Sequence, residues 1–216
     1  MALIGLRRSM FAPISEEPEQ AMPIYGQVVE DNKAISANIT WSRSDDSLYA
    51  NDVEAETDNG ITGGTITMGL DDLSESLQIS ALGTQAVGTE GDKYLEDTDR
   101  AGTPGGYAYL RVRKRHNVVS FEANFLYKIT LGQEDEETAT RGESIEWQTP
   151  EVTGKIMGVY TDASGEAKFR RRKTFPTEAA AIAWLKAIFV GETEVVPQQA
   201  SAKIVPTQST EKGMGV

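Results

Sequence analysis

The chain has 216 residues, 33 acids against 21 bases and a formal net charge of −12. That length suits one domain with tails, and the charge disfavours whole-protein binding to nucleic acid, whose phosphates require a basic surface. With no cysteine and a single histidine, His116, the chain cannot build disulfides, thiolate metal sites, a cysteine nucleophile or a histidine metal cluster within one subunit.

Residues 1–32 carry Pro13, Pro18, Pro23 and the acidic pair Glu16-Glu17, and read as an N-terminal arm with little regular structure. Its apolar run, Ala2 to Leu6, precedes Arg7 and Arg8 and is too short for a signal peptide. The main domain is assigned to residues 33–192. Ile35, Ala37, Ile39 and Trp41 alternate with polar residues, the period-two mark of a strand with one buried face. Leu48 to Thr57 reads as a second strand, and Asp58-Asn59-Gly60 as a turn. Ile66, Met68 and Leu70 then share one face of a further strand, which predicts a hairpin centred near Asn59.

A helix is predicted over 71–82. Asp72 would cap it with Glu75 three residues on, Leu73, Leu77 and Ala81 would share a face, and Gly83 would supply the left-handed C-terminal cap. Residues 88–106 read as a loop rich in Gly, Asp, Glu and Thr.

The clearest sheet signal follows. Ala108, Leu110 and Val112 alternate with Tyr109, Arg111 and Arg113, a turn falls near His116-Asn117, and Val119, Phe121, Ala123, Phe125, Tyr127, Ile129 and Leu131 occupy alternate positions without a break. Such a strand spans about 40 Å and suits a sheet shared between subunits. Residues 132–143 form an acidic loop. Strand-like segments cover 144–148, 152–160 and 166–173, with a turn over 162–165. A second helix is predicted over 176–190, with Pro176 in its first turn, an apolar stripe of Ala181, Trp184, Leu185, Ile188 and Phe189, and Gly191 ending it. Residues 193–216 are read as a flexible C-terminal tail.

No catalytic, cofactor-binding or metal site is assigned. The glycine-rich stretches contain neither GxxxxGK[ST] nor GxGxxG between a strand and a helix, and no GxSxG occurs. The acid pairs Asp45-Asp46, Asp71-Asp72 and Glu136-Glu137 read as solvated surface and not as a glycosidase pair. Ala179 to Val190 is too short for a membrane span and carries Lys186. Charge is segregated. Arg111, Arg113, Lys114 and Arg115 form one basic cluster, and Lys168 with Arg170 to Lys173 a second. Acids gather over 45–58, 90–99 and 134–137. Patches of both signs on one chain fit self-association.

Several segments, in their order and spacing, resemble the major tail protein family of long-tailed bacteriophages of Gram-positive bacteria. They are Ile4-Gly5-Leu6 with Phe11 to Ile14, Leu48 to Asp52, Gly64 to Gly83, Thr138 to Gly154 and the helix Thr177 to Phe189. Arg141 stands where the family pattern has Lys and keeps the charge. The resemblance implies a mainly β (α+β) fold, a sandwich or barrel with a flanking helix, in a structural subunit and not an enzyme. It further implies that six copies form a ring, that rings stack into a hollow tube, and that the inner sheets join into one barrel. A long loop or hairpin, with a terminal arm, would bridge to the next ring.

The implied partners are the chain itself, a tape measure protein, a tail terminator, tail-tip proteins and DNA crossing the lumen without specific binding, with no membrane contact. The implied location is the virion tail. Carboxylates repel passing phosphates, so Glu54, Glu56, Asp58, Glu134, Asp135, Glu136 and Glu137 are candidate lumen or ring-contact residues. The alternative is a β-sandwich binding module, an adhesin or carbohydrate binder. It needs exposed aromatic platforms, whereas Trp41, Trp147 and Trp184 sit in patterns that predict core.

Overall fold

A computed structural model describes residues 2–31, 34–50, 53–89, 92–133 and 149–191. The chain is mainly β. In order it forms β1 (Ala2–Glu16), β2 (Ile24–Tyr25), β3 (Val29–Asp31), β4 (Ala34–Arg43), β5 (Asp46–Ala50), β6 (Val53–Asp58) and β7 (Ile61–Leu70). A short α1 (Glu75–Leu77) runs into a π-helical turn, Gln78–Leu82. Then come β8 (Gln85–Val87), β9 (Tyr94–Glu96), β10 (Gly105–Arg115), β11 (Val118–Leu131), β12 (Glu151–Met157), β13 (Val159–Tyr160), β14 (Ala167–Lys168), β15 (Arg170–Phe175) and α2 (Glu178–Val190). One antiparallel sheet dominates, in the order β2-β1-β10-β11-β12-β7-β4, with β15 added to β11 and β3 to β1. It rolls so that β4, at its far end, comes back against β1.

The strand β11 organises this sheet, and its bounds match the predicted ones. One edge pairs with β10. The other is divided, Phe121 to Leu126 pairing with β15 and Lys128 to Leu131 with β12. At the division β11 carries one extra residue. Gly105 and Tyr107 of β10 face Ile129 and Leu126, so two steps oppose three. Such a bulge reverses which face later residues occupy. Ala123, Phe125 and Tyr127 therefore pack with α2, while Leu126, Ile129 and Leu131 pack with Ile66, Val152 and Ile156. This corrects the reading of Val119 to Leu131 as one unbroken face.

Each face of the sheet has its own core. On one, all five predicted stripe residues of α2 are buried. The Phe125 ring meets Phe189 at 4.9 Å and Tyr25 and Tyr127 at 5.6 Å, in edge-to-face contacts that add about 1 kcal/mol each beyond area burial. On the other, β7, β12 and the π-helical turn close over Phe11, Tyr107, Tyr109 and Leu126. Leu73, Leu77 and Ala81 are buried there, as their spacing predicts, and Gly83 is the left-handed cap at φ 85°.

Several expectations are revised. Residues 2–16 are a long strand, not an arm with little regular structure, and Met10, Phe11 and Ala12 lie in the two cores. Ser74, not Asp72, caps α1, its hydroxyl accepting from the Leu77 N–H at 3.3 Å. Thr177 caps α2, which leaves Pro176 just outside the first turn. The stretch 88–106 includes β9, which pairs with β8. Ile35 is exposed because a register shift between Ala34 and Ser36 breaks the alternation, while Ala37, Ile39 and Trp41 pack on the core.

No turn forms at Asn59. β4 pairs with β7 up to Arg43 and Ile61, the Ser44 N–H donates to the Gly60 carbonyl at 2.8 Å, and β5 and β6 extend the same ladder from Asp46–Asp58 to Ala50–Val53. The segment read as one strand over 48–57 is thus the outer half of a long hairpin. Its tip, the acidic loop of 134–143, the segment 144–148 with Trp147, and the tail from 192 lie outside the described residues.

Candidate assembly interface

Four strands, β1, β10, β11 and β15, form one antiparallel layer that, among the described residues, has an open edge on each side. At one side, β3 and β2 pair with β1 only over Ser9 to Phe11 and Ile14 to Glu16. Among the described residues no strand pairs with the outer edge of β1 from Ala2 to Arg7. Leu3 and Ile4, on this stretch, are more than half exposed. At the other side, among the described residues β15 pairs with β11 alone. Unpaired N–H and C=O rows of this kind are templates for another strand.

Strand direction makes the two edges compatible. β1 and β11 run one way, β10 and β15 the other. An even number of alternating strands means that the β15 of one copy meets the β1 of a neighbour antiparallel when copies are related by rotation in the plane of the ring. A head-to-tail contact of this type closes into a ring where the rotation between copies closes, and otherwise runs on as an open filament.

The two basic clusters read separately in the sequence meet in this layer. β10 and β15 flank β11, and the register sets Arg113 opposite Ser120, Arg111 opposite Glu122, Arg172 opposite Asn124 and Arg170 opposite Leu126. Glu122 is buried and ion-paired with Arg113. The Arg111 guanidinium lies 5.5 Å over the Tyr109 ring and that of Arg170 lies 5.0 Å over Trp41. Burial, then the Arg172 charge, lowers the pKa of Arg170. Burial raises the Tyr109 hydroxyl, against the opposing pull of Arg111 and Arg170. No local pattern connects these clusters, because their joint neighbour, β11, is apolar at most positions; the signal of its polar face is Ser120, Glu122 and Asn124 at alternate positions.

Of the predicted acids, Glu54, Glu56 and Asp58 occupy alternate positions of β6, with Glu54 opposite Tyr49, Glu56 opposite Leu48 and Asp58 opposite Asp46. Glu134, Asp135, Glu136 and Glu137 lie outside the described residues. Trp184 is buried and Trp41 half-buried. An open groove of about 850 Å³ between β7, β12 and the segment 101–102 is lined by Ser42, Thr65, Thr130 and Thr153, with Lys155 the only titratable side chain among the described lining residues. Among the described residues no three His, Asp or Glu side chains are grouped to hold a metal, and no helix is long and apolar enough to cross a membrane. No known family model matches the chain, and no curated protein sequence matches it.

Proposed function

We propose that this chain is a structural virion protein without enzymatic activity, the major tail tube subunit of a long-tailed bacteriophage. In this reading six copies close into a ring, rings stack into a tube, and phage DNA passes through the lumen. The observation that carries it is the four-stranded layer with open edges at β1 and β15, whose directions allow antiparallel pairing head to tail. Closing a ring removes both edges, which would otherwise invite uncontrolled aggregation. The long hairpin β4–β7, with β5 and β6 at its outer end, supplies the extended element that the family resemblance places between rings. The excess of 33 acids over 21 bases suits a conduit to which phosphates must not adhere. A tape measure protein, a tail terminator and tail-tip proteins are the remaining partners in this reading.

The test is electron microscopy of the purified chain, concentrated and incubated alone and then with its tape measure and tail-tip proteins. Hollow tubes or six-fold rings are expected. A chain that remains monomeric with all partners present would move the assignment to a β-sandwich binding module.

A further inference from the structure

The arginine cluster on β10 and β15 is crowded beyond what its own carboxylate neutralises. Glu122 takes Arg113. Among the described residues Arg111, Arg170 and Arg172 form no ion pair with a carboxylate. Stacking on Tyr109 and Trp41 holds two of these guanidinium groups at the half-buried surface, where repulsion is less screened than in open water. Guanidinium forks match carboxylates in shape as well as charge.

The complementary crowding lies on the same chain. Residues 44–59 contain six acids, Asp45, Asp46, Asp52, Glu54, Glu56 and Asp58, and no base. The backbone register sets Asp46 opposite Asp58 and Glu54 opposite Tyr49. Among the described residues β5 and β6 pair only with each other. One segment thus gathers acids alone and the other bases alone, and the two are complementary in sign.

We propose that the cluster of Arg111, Arg170 and Arg172 is a docking site for the acidic β5–β6 hairpin of a second copy of this chain. The inference rests on the self-assembly reading and adds the pair of surfaces that meet. Such a contact is electrostatic, so it weakens as salt rises.

Two variants and their mixture test it, beside the unaltered chain. Arg172 is exposed, so Arg172→Glu combined with Arg111→Gln leaves most of the core untouched; the second variant carries Glu54→Lys and Glu56→Lys. Light scattering and microscopy read the concentration at which assembly begins, and circular dichroism and Tm read folding. Each variant is expected to stay folded and to need at least about tenfold more protein to assemble. Mixed, the two are expected to associate below the concentration at which either does alone, because one keeps the hairpin and the other the arginines. The proposal is overturned if either variant assembles at the unaltered chain's concentration. It is also overturned if the mixture shows no association and each variant melts lower, which would place the hairpin on its own chain's arginines. An unaltered chain that never assembles, even with its partners, sinks the tube reading as well, so the two failures are distinguishable.

Discussion

At the scale of single residues, space and charge are decided by a few atoms. Gly102 packs so tightly that an added Cβ would lie 1.9 Å from the Leu131 carbonyl oxygen and 2.7 Å from that of Ala81. Both obstacles are backbone, which cannot swing aside, so Gly102→Ala is expected to cost about 3 kcal/mol, read as a lower midpoint in urea unfolding. Tyr25 sets a pH limit. Its hydroxyl donates to the Tyr127 carbonyl at 2.9 Å, and burial is the main cause that holds its pKa above the ordinary value. The unfolded chain releases this proton near pH 10, and the folded chain retains it. Stability is therefore full below about pH 10 and falls as pH rises past it. Tyr25→Phe is expected to cost about 1 kcal/mol at neutral pH and to flatten this alkaline fall, as measured by unfolding from pH 8 to 11.

At the scale of elements, α2 and β11 show what periodicity can and cannot reveal. The α2 stripe was legible because the helix is covered on one side only. Leu185, fully buried, and Ala183, exposed, therefore respond differently. Leu185→Ala is expected to lose about 2–5 kcal/mol and Ala183→Lys to stay within about 0.5 kcal/mol, compared by thermal unfolding. The bounds of β11 were legible too, since its apolar run begins just after the His116-Asn117 turn, where both residues take positive φ. Its bulge was not, because two cores on opposite faces make residues of either parity apolar. The same cause hid β1. Met10 and Ala12 enter one core and Phe11 the other, so three consecutive residues are buried and no alternation remains. Register shifts near Gly5 and between Arg7 and Met10 break the pattern further. The candidate acids on β6 could be picked out by charge, but their place on the outer half of a β4–β7 hairpin depends on pairings that span up to 36 residues, which no local signal specifies.

At the scale of the whole molecule, the question is what prevents the two open edges from pairing at random. Charge gives part of the answer. The β15 edge is a run of basic residues, Arg170 to Lys173, whereas the β1 edge presents exposed Leu3 and Ile4 and one base, Arg7, which is ion-paired with Glu178. Two β15 edges would repel each other, so in the proposed assembly β15 on β1 is favoured over β15 on β15. If that junction closes the ring, the sign of charge added to the β1 edge must matter more than the loss of the apolar side chains. Leu3→Lys with Ile4→Lys places cations against the basic strand of the neighbour, and Leu3→Glu with Ile4→Glu places anions there. Leu3 and Ile4 are each more than half exposed, so each variant is expected to keep its monomer stability within about 1 kcal/mol. Assembly is expected to separate them. The lysine variant should remain unassembled at low salt, recovering partly as salt screens the repulsion, and the glutamate variant should assemble at concentrations near those of the unaltered chain. Equal assembly by the two variants across salt concentrations would show that these edges do not meet, and would remove the observation on which the ring rests.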